Sequence, residues 1–346
     1  MVFGMDKNRT GYKLLKILAD GRFHSGQELG RALSITRSGV WKALRQLEKI
    51  GIELHAVTGK GYRLPQAIEL LDPTVITPYL QPANANQLDE LILLTTIDST
   101  NEYLLTLAKL KPAHTLACMA EHQTAGRGTS GRCWISPFGS NIALSLVYHF
   151  NKDPSEIIGL SLGIGVAVIK ALAQYGITND VTLKWPNDVL WQQKKLAGIL
   201  IDLIAESHRR CSVIIGVGLN LYMPAPLGQG ITQPWTHLTE ITSQPLERNK
   251  LAGLLLNELL STTKTFETLG LSPFLSEWQQ RDSMRNQSVT VINAQGEMHG
   301  IMQGISAQGE LIVQTQQGEI KHFISGEVRL RHSAEDNNIL FRGPKL

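Results

Sequence analysis

The chain has 346 residues, 42% of them hydrophobic and 18% charged, with a net charge of +3. Those values fit a folded chain of two or three domains and exclude disordered or fibrous classes. Three cysteines (Cys118, Cys133, Cys211) form no Cys-x-x-Cys pair and the ten histidines show no metal spacing, so neither a disulfide framework nor a zinc site is expected. A reducing cytoplasm is the expected compartment. Lys170, Lys184 and Asp202 interrupt the most apolar stretches, so no membrane span is expected, and the opening MVFGMDKNRT lacks the apolar core of a signal peptide.

The net charge is unevenly placed. Residues 1–65 carry 12 Lys+Arg against 5 Asp+Glu, a balance of +7, which leaves −4 for the rest. A basic segment on an otherwise acidic chain points to a polyanionic partner for that segment alone.

In chain order, Leu14, Leu15, Ile17 and Leu18 form a helical stripe that stops at Asp20-Gly21. Ser25-Gly26-Gln27-Glu28 is a capping box that opens a second helix through Leu29 and Leu33. Val40, Leu44, Leu47 and Ile50 give a third helix, closed by Gly51. Ile52, Leu54 and Ala56 alternate as a strand, Thr58–Gly61 is a turn, and Tyr62-Arg63-Leu64 returns. Three helices and a basic hairpin are the plan of a winged helix-turn-helix. With Val40, Leu44 and Leu47 inward, Thr36, Arg37, Ser38, Trp41, Lys42 and Arg45 lie on or near the outer face, all but Trp41 as DNA-binding candidates, and Lys60 and Arg63 on the wing are placed to reach the backbone. A solvated basic helix in a protein-binding winged helix is the bland alternative. Trp41 reads as a packing residue.

Beyond a connection marked by Pro65 and Pro73, strands are expected over Leu91–Ile97, Thr115–Glu121, Asn141–Phe150, Val181–Trp185, Leu196–Ile204 and Ser212–Val217. Helices are expected over Asn101–Leu110, capped by Ser99 or Thr100, and over Glu156–Tyr175. Strands that neighbour one another along the chain favour an α+β body over a doubly wound sheet. Four segments could carry chemistry. Glu121–Arg132 is a glycine-rich loop after a strand, with Arg127 and Arg132 as forked cations; a plain surface turn explains it equally well. Lys184-Trp185-Pro186-Asn187-Asp188 could be only a rigid turn, and Lys195 at the mouth of a buried strand could be only solvated. Gly216-Val217-Gly218-Leu219-Asn220 permits close ligand approach but is weak by itself.

Taken together and in order, the phrases FHSGQELG, GKGYRL, IDSTNEYLL, QTAGRG, WISPFGSN, KWPND, KLAGIL and IGVGLN resemble the bacterial biotin–protein ligases, specifically the bifunctional kind that also represses biotin synthesis. The resemblance runs from about Leu14 to Leu330. It implies a class II synthetase-like α+β catalytic domain over residues 66–282, between a winged helix-turn-helix over 1–65 and an SH3-like small β-barrel over 283–331. Residues 332–346 are expected to be a disordered tail. It further implies biotin and ATP with Mg2+ as reactants, and a biotin carboxyl carrier protein of acetyl-CoA carboxylase as acceptor. Operator DNA is implied as a partner of an adenylate-loaded homodimer, with no membrane involved.

Carried over by residue, Ser99, Thr100, Asn101 and Gln123 would hold the biotin ring, and Arg127, Gly128 and Thr129 lie on the loop that closes over it. Lys195 would contact the biotin carboxyl and the α-phosphate; Lys195, Arg127 and Arg132 are the catalytic candidates. Arg132, Trp134, Asn187, Lys184 and Asn220 would serve ATP, with Asp188 as support. No protein side chain is assigned to a metal. Relatives often carry arginine where this chain has Thr129, followed by uncharged Ser130, so weaker retention of the adenylate is expected. A ligand-sensing repressor without catalysis and a lipoate-type acyl ligase are the alternatives. Four strands, Val289–Ile292, Ile301–Ile305, Leu311–Gln314 and Ile320–Ile324, are expected in the barrel.

Overall fold

The computed structural model describes residues 10–111, 113–207, 210–223, 228, 231–293, 296–326 and 328–332. The expected tail from 333 onward lies outside the described residues; His332, expected to begin that tail, belongs to a strand instead.

The head is built from α1 (Thr10–Leu18), α2 (Gly26–Leu33), α3 (Arg37–Lys49) and a hairpin of β1 (His55–Val57) and β2 (Gly61–Arg63). Local chemistry sets its joints. Ser25 Oγ accepts from the Glu28 amide at 3.1 Å while the Glu28 carboxylate accepts from the Ser25 amide at 2.8 Å, satisfying two donors that a helix start leaves free. Thr36 caps α3 through the Gly39 amide. Leu14, Leu15, Leu18, Leu29, Val40, Leu44, Leu47, Ile52 and Leu64 close a core of their own. The wing strand is shorter than the alternation suggested, because Ile52 turns into that core before pairing begins.

The connection carries short helices α4 (Pro73–Ile76) and α5 (Pro82–Ala85) and is tied down rather than loose. Arg248 is buried against Glu121 and also donates to the Glu69 and Asn141 carbonyls; Asn249 bonds Glu69 and Leu70. A buried guanidinium needs this many acceptors to repay its lost hydration. Head and body also touch directly. His122 packs on Gly51, where a Cβ would lie 2.7 Å from the ring's Cε1, and the Ile50 backbone is close enough to favour the protonated ring. Burial lowers the His122 pKa, with that contact working the other way.

The body is one seven-stranded sheet in the order β3-β4-β5-β9-β8-β7-β6. Its strands are β3 (Glu90–Ile97), β4 (Leu116–Gln123), β5 (Asn141–Phe150), β6 (Val181–Lys184), β7 (Asp188–Trp191), β8 (Lys194–Ser207) and β9 (Arg210–Asn220). Only β3 and β4 pair in parallel, which is the α+β arrangement expected. Helix α6 (Thr100–Leu110), the crossover from β3 to β4, covers one face of the sheet. Helix α7 (Leu160–Tyr175) covers the other, followed by α8 (Leu238–Ile241), α9 (Arg248–Leu269) and α10 (Ser272–Gln280). Side-chain alternation divides the strands between these faces: Ala117 and Met119 go with α7, Leu116, Cys118 and Ala120 with α6.

Two expectations change here, and one helix was not expected at all. The long helix starts at Leu160, since Gly159 at φ +86° separates it from a 3-10 turn at Pro154–Ile157. The stretch Pro154–Tyr175 is apolar and long enough to cross a membrane despite Lys170, but 67% of its most apolar window is buried in the fold. The 22-residue helix α9 buries polar residues such as Arg248, Asn249, Asn257 and Thr263 among its leucines, so the sequence shows little helical periodicity there.

The C-terminal unit is a five-stranded antiparallel sheet, order β13-β12-β11-β10-β14, from β10 (Ser288–Asn293), β11 (Gly296–Ile305), β12 (Leu311–Thr315), β13 (Ile320–Phe323) and β14 (Arg329–His332). Its apolar residues Val289, Val291, Met302 and Val313 join the body's main core. Trp185, 2% exposed, donates from Nε1 to the Gly309 carbonyl at 3.1 Å, which locks the barrel beneath the KWPND turn.

Candidate functional site

On the α6 face the sheet becomes hollow. Where the alternation would bring large side chains forward, it presents Ala143 and Ser145 on β5, Gly198 and Leu200 on β8, and Gly216 and Gly218 on β9. These residues floor a cavity of about 280 Å³, near the lower size limit of small-molecule sites. A Cβ on Gly216 would lie 2.3 Å from Asn101 Oδ1, and one on Gly218 would lie 2.4 Å from Trp134 Cε2. The glycines are therefore clearances for two specific side chains.

One wall is polar and interlocked. Thr100 at the start of α6 donates from its amide (2.9 Å) and its hydroxyl (3.1 Å) to Gln123 Oε1 at the end of β4. Ser145 Oγ lies 2.7 Å from Thr100 Oγ1 and donates to Asn101 Oδ1 at 2.5 Å; Asn101 Nδ2 donates to Asp202 at 2.9 Å. Ser99 occupies the N-cap position but its side chain caps nothing. Ser99, Thr100 and Asn101 are all buried, and the bonds joining Gln123, Thr100, Ser145 and Asn101 set the wall before a ligand arrives.

The opposite end carries charge. Lys195 is 9% exposed; its Nζ pairs with Asp188 Oδ1 at 2.6 Å and stands 5.7 Å from the centre of the Trp134 ring. The contact with Asp188 is a charge pairing without the angle of a directed hydrogen bond. A register shift between β7 and β8 falls at this point, and the Lys195 backbone is held by Pro234 and Thr236. Asn187 donates to the Ile199 carbonyl at 2.7 Å and Asn220 to the Thr236 carbonyl at 3.0 Å, so both amides are fixed. The indole Nε1 of Trp134 is buried with no partner.

The glycine-rich loop folds over the mouth. Arg127 is held by Glu102 and, at 3.2 Å, by Asp202; in this conformation it latches the loop to the wall. Arg132 curls back, donating to the Thr129 carbonyl (3.2 Å) and hydroxyl (2.9 Å). Ser130 and Gly131 take left-handed backbone, at φ +56° and +72°. Ser99, Thr100, Asn101, Gln123, Arg127, Gly128, Thr129, Arg132, Trp134, Asn187, Lys195 and Asn220 line the cavity together. Lys184 does not: it lines the wider groove outside, with Asp188.

On the head, Arg37, Ser38, Lys42 and Arg45 are exposed along α3, with Lys60 at the wing tip. The Thr36 hydroxyl is engaged in capping and in a 2.9 Å contact with Ser38. Arg63 corrects an expectation: half-buried, it donates to the Pro65 carbonyl and lies over the Phe23 ring, so it does not reach outward from the wing. Trp41 corrects another, for it is 52% exposed rather than packed.

The chain matches the biotin/lipoate A/B protein ligase family over residues 93–220, an HTH domain over 12–63 and the biotin protein ligase C-terminal domain over 286–331. It is 40% identical over 332 residues to the bifunctional ligase/repressor BirA of Escherichia coli (strain K12), covering 96% of this chain and all of that relative. The bifunctional ligase/repressor BirA of Bacillus subtilis (strain 168) is 31% identical over 317 residues, 90% of this chain and 95% of its own length. This chain belongs to the bifunctional biotin ligase/repressor family. Among solved structures, a biotin protein ligase from Aquifex aeolicus in complex with biotin and ATP superposes with a TM-score of 0.58 at 29% identity, over 71% of this chain and all of that one.

In this ligase/repressor several functional neighbours escaped the sequence reading. Ser145 sits in an apolar strand and shows its role only when α6 is laid over it. Glu102 and Asp202, which hold Arg127, lie 25 and 75 residues from it. Trp235 lines the cavity from a segment without a motif, pairing with Lys195 across a bridge.

Proposed function

We propose that the chain makes biotinyl-5'-adenylate from biotin and Mg-ATP, and then transfers biotin to a lysine of the biotin carboxyl carrier protein of acetyl-CoA carboxylase. The observation that supports this best is the position of Lys195 inside one cavity, between a preset polar wall and the Asn187–Trp134 end. Ser99, Thr100, Asn101 and Gln123 hold the ureido ring, with Gly128 and Thr129 in the loop above it. Lys195 stands where a carboxylate oxygen attacks the α-phosphate and pyrophosphate leaves, and its ammonium offsets charge that grows on the phosphoryl oxygens. Asn187, Trp134 and Asn220 position the nucleotide, with Lys184 acting from the outer groove. Arg132 swings from Thr129 to the phosphates, and Mg2+ enters with them. The carrier's amine then attacks the acyl carbonyl, AMP leaves, and the nitrogen gives up a proton to form the amide.

The head completes the reading: with the adenylate bound, two chains pair and place two heads on operator DNA, through Thr36, Arg37, Ser38, Lys42, Arg45 and Lys60. Three free cysteines suit the cytoplasm, where this carrier and ATP meet. Incubation with biotin, Mg-ATP and apo carrier domain, followed by mass measurement, tests the proposal; a carrier without a biotinyl group would refute the ligase reading. Thr129 in place of an arginine removes a cation from the mouth, so Thr129→Arg should slow dissociation of the adenylate. Equal dissociation rates would count against that role.

A further inference from the structure

The outward helix of the head carries a side chain that its charge does not explain. Helix α3 buries Val40, Ala43, Leu44 and Leu47 and exposes Arg37, Ser38, Trp41, Lys42, Arg45 and Gln46. Residues four apart on a helix lie above one another, so Arg37, Trp41 and Arg45 make one row, with Ser38, Lys42 and Gln46 beside it. Trp41 stands in the middle of the cationic face and is 52% exposed. The Arg45 guanidinium lies 5.5 Å from the centre of the indole and steadies it. At its far end Arg45 pairs with Glu48 at 3.1 Å, so the acidic partner sits away from the N-terminal half of the helix.

We propose that Trp41 reads base edges in the major groove of duplex DNA, by apolar contact with thymine methyl groups, while the cations on either side hold phosphates. This rests on the DNA-binding reading of the head. A protein partner would need an apolar patch around the indole, and here its helix neighbours are arginines, a lysine, a serine and a glutamine. That surface matches a polyanion with an apolar point between its charges, which the methyl-bearing edge of an A·T pair supplies. The head's balance of +7 agrees with the same partner.

The test uses the full chain with biotin and Mg-ATP, and a duplex that the wild-type protein selects from a randomised pool. Trp41→Ala should bind the selected duplex about tenfold or more weakly, the range of one lost base contact. It should bind a scrambled duplex as before, keep the salt dependence, and leave biotin transfer unchanged. Replacing single thymines of the selected duplex by deoxyuridine, which lacks the methyl group, should weaken wild-type binding at one position per half-site and leave Trp41→Ala indifferent there. That arm holds even where the variant's head fails to fold. Equal affinity of wild type and Trp41→Ala for the selected duplex would overturn the proposal. So would equal losses on selected and scrambled DNA, or indifference of the wild type to deoxyuridine at every position. A wild-type protein that enriches no sequence would overturn both this proposal and the DNA-binding reading beneath it.

Discussion

The cavity in the body and the outer face of α3 solve recognition in opposite ways. In the cavity nearly every polar side chain already has a partner: Thr100 with Gln123, Asn101 with Ser145 and Asp202, Lys195 with Asp188. The groups are buried, fixed by neighbours and sensitive to displacements of an ångström. On the head Arg37, Ser38 and Lys42 stand in water, and Arg45 is held by an exposed ion pair and its contact with the Trp41 ring. Exposed cations are screened and individually weak, so that surface works by number. Changes in the cavity should therefore be large and specific, and those on the head small, additive and dependent on salt.

The largest effect should come from Lys195→Ala. By analogy with other preorganised electrostatic donors, its loss should cost roughly 2.7–4 kcal/mol of barrier, about 10²–10³ in the rate of adenylation. Pyrophosphate exchange would measure it, with thermal unfolding showing that the fold persists; wild-type exchange would remove Lys195 from the mechanism. Gly216→Ala comes next. Its methyl collides with Asn101, so biotin affinity should fall by about 10²-fold, the scale of an ångström's misplacement, while the nucleotide end is spared. Equal losses for biotin and ATP would show that the wall and the charged end are not separate devices.

A smaller effect belongs to the joint under the cavity. Asp282 pairs with Leu183 at the foot of β6, and desolvation pushes its carboxyl up to about 6, against the hydrogen bond from the Met284 amide. A raised carboxyl pKa means the folded chain holds the proton more tightly. The associated stability is present below about pH 4 and is lost as pH rises through about 6. Asp282→Asn should therefore be more stable than wild type at neutral pH, by on the order of 2 kcal/mol, and flatter across that window. A melting curve with unchanged pH dependence would show that the charge is better solvated than its surroundings suggest. The smallest effect is Lys42→Ala, which should weaken DNA binding of all sequences alike and lower the slope against log salt by about 0.9. A loss confined to one sequence would move Lys42 from phosphate holder to base reader.

How much of this was legible depended on how local the cause was. The capping box of α2, the cap at Thr36 and the short continuous apolar runs of β4 and β5 act within a few residues, so those elements could be read directly. Helix α9 and strand β7 could not: one buries polar residues such as Asn249, Asn257 and Thr263 among its leucines and the other is four residues long, and neither leaves a periodic signature. In the site, the glycine-rich loop, KWPND and Lys195 were named from their phrases. Ser145, Glu102 and Trp235 were not, since each is ordinary in its own segment and becomes functional through contacts made across the fold. The head shows the same limit. Charge and order marked α3 as the outward helix and helical spacing put Trp41 near its outer face, but the side chain was taken for a packing residue because hydrophobic character by itself suggests burial, and the packed head leaves the indole in water.

The sequence by itself determined the division into a basic head and an acidic body, the capped helices of the head and the order of the ligase phrases, because these are matters of composition, local hydrogen bonding and resemblance. The tertiary structure decided which residues of those phrases meet. It set Gly216 and Gly218 against Asn101 and Trp134, turned Arg127 toward Glu102 and Asp202, and kept Lys184 outside the cavity. Those outcomes depend on how a sheet of mixed direction brings strands 60 to 80 residues apart, such as β5 and β9, into register, which is a property of the whole packed chain.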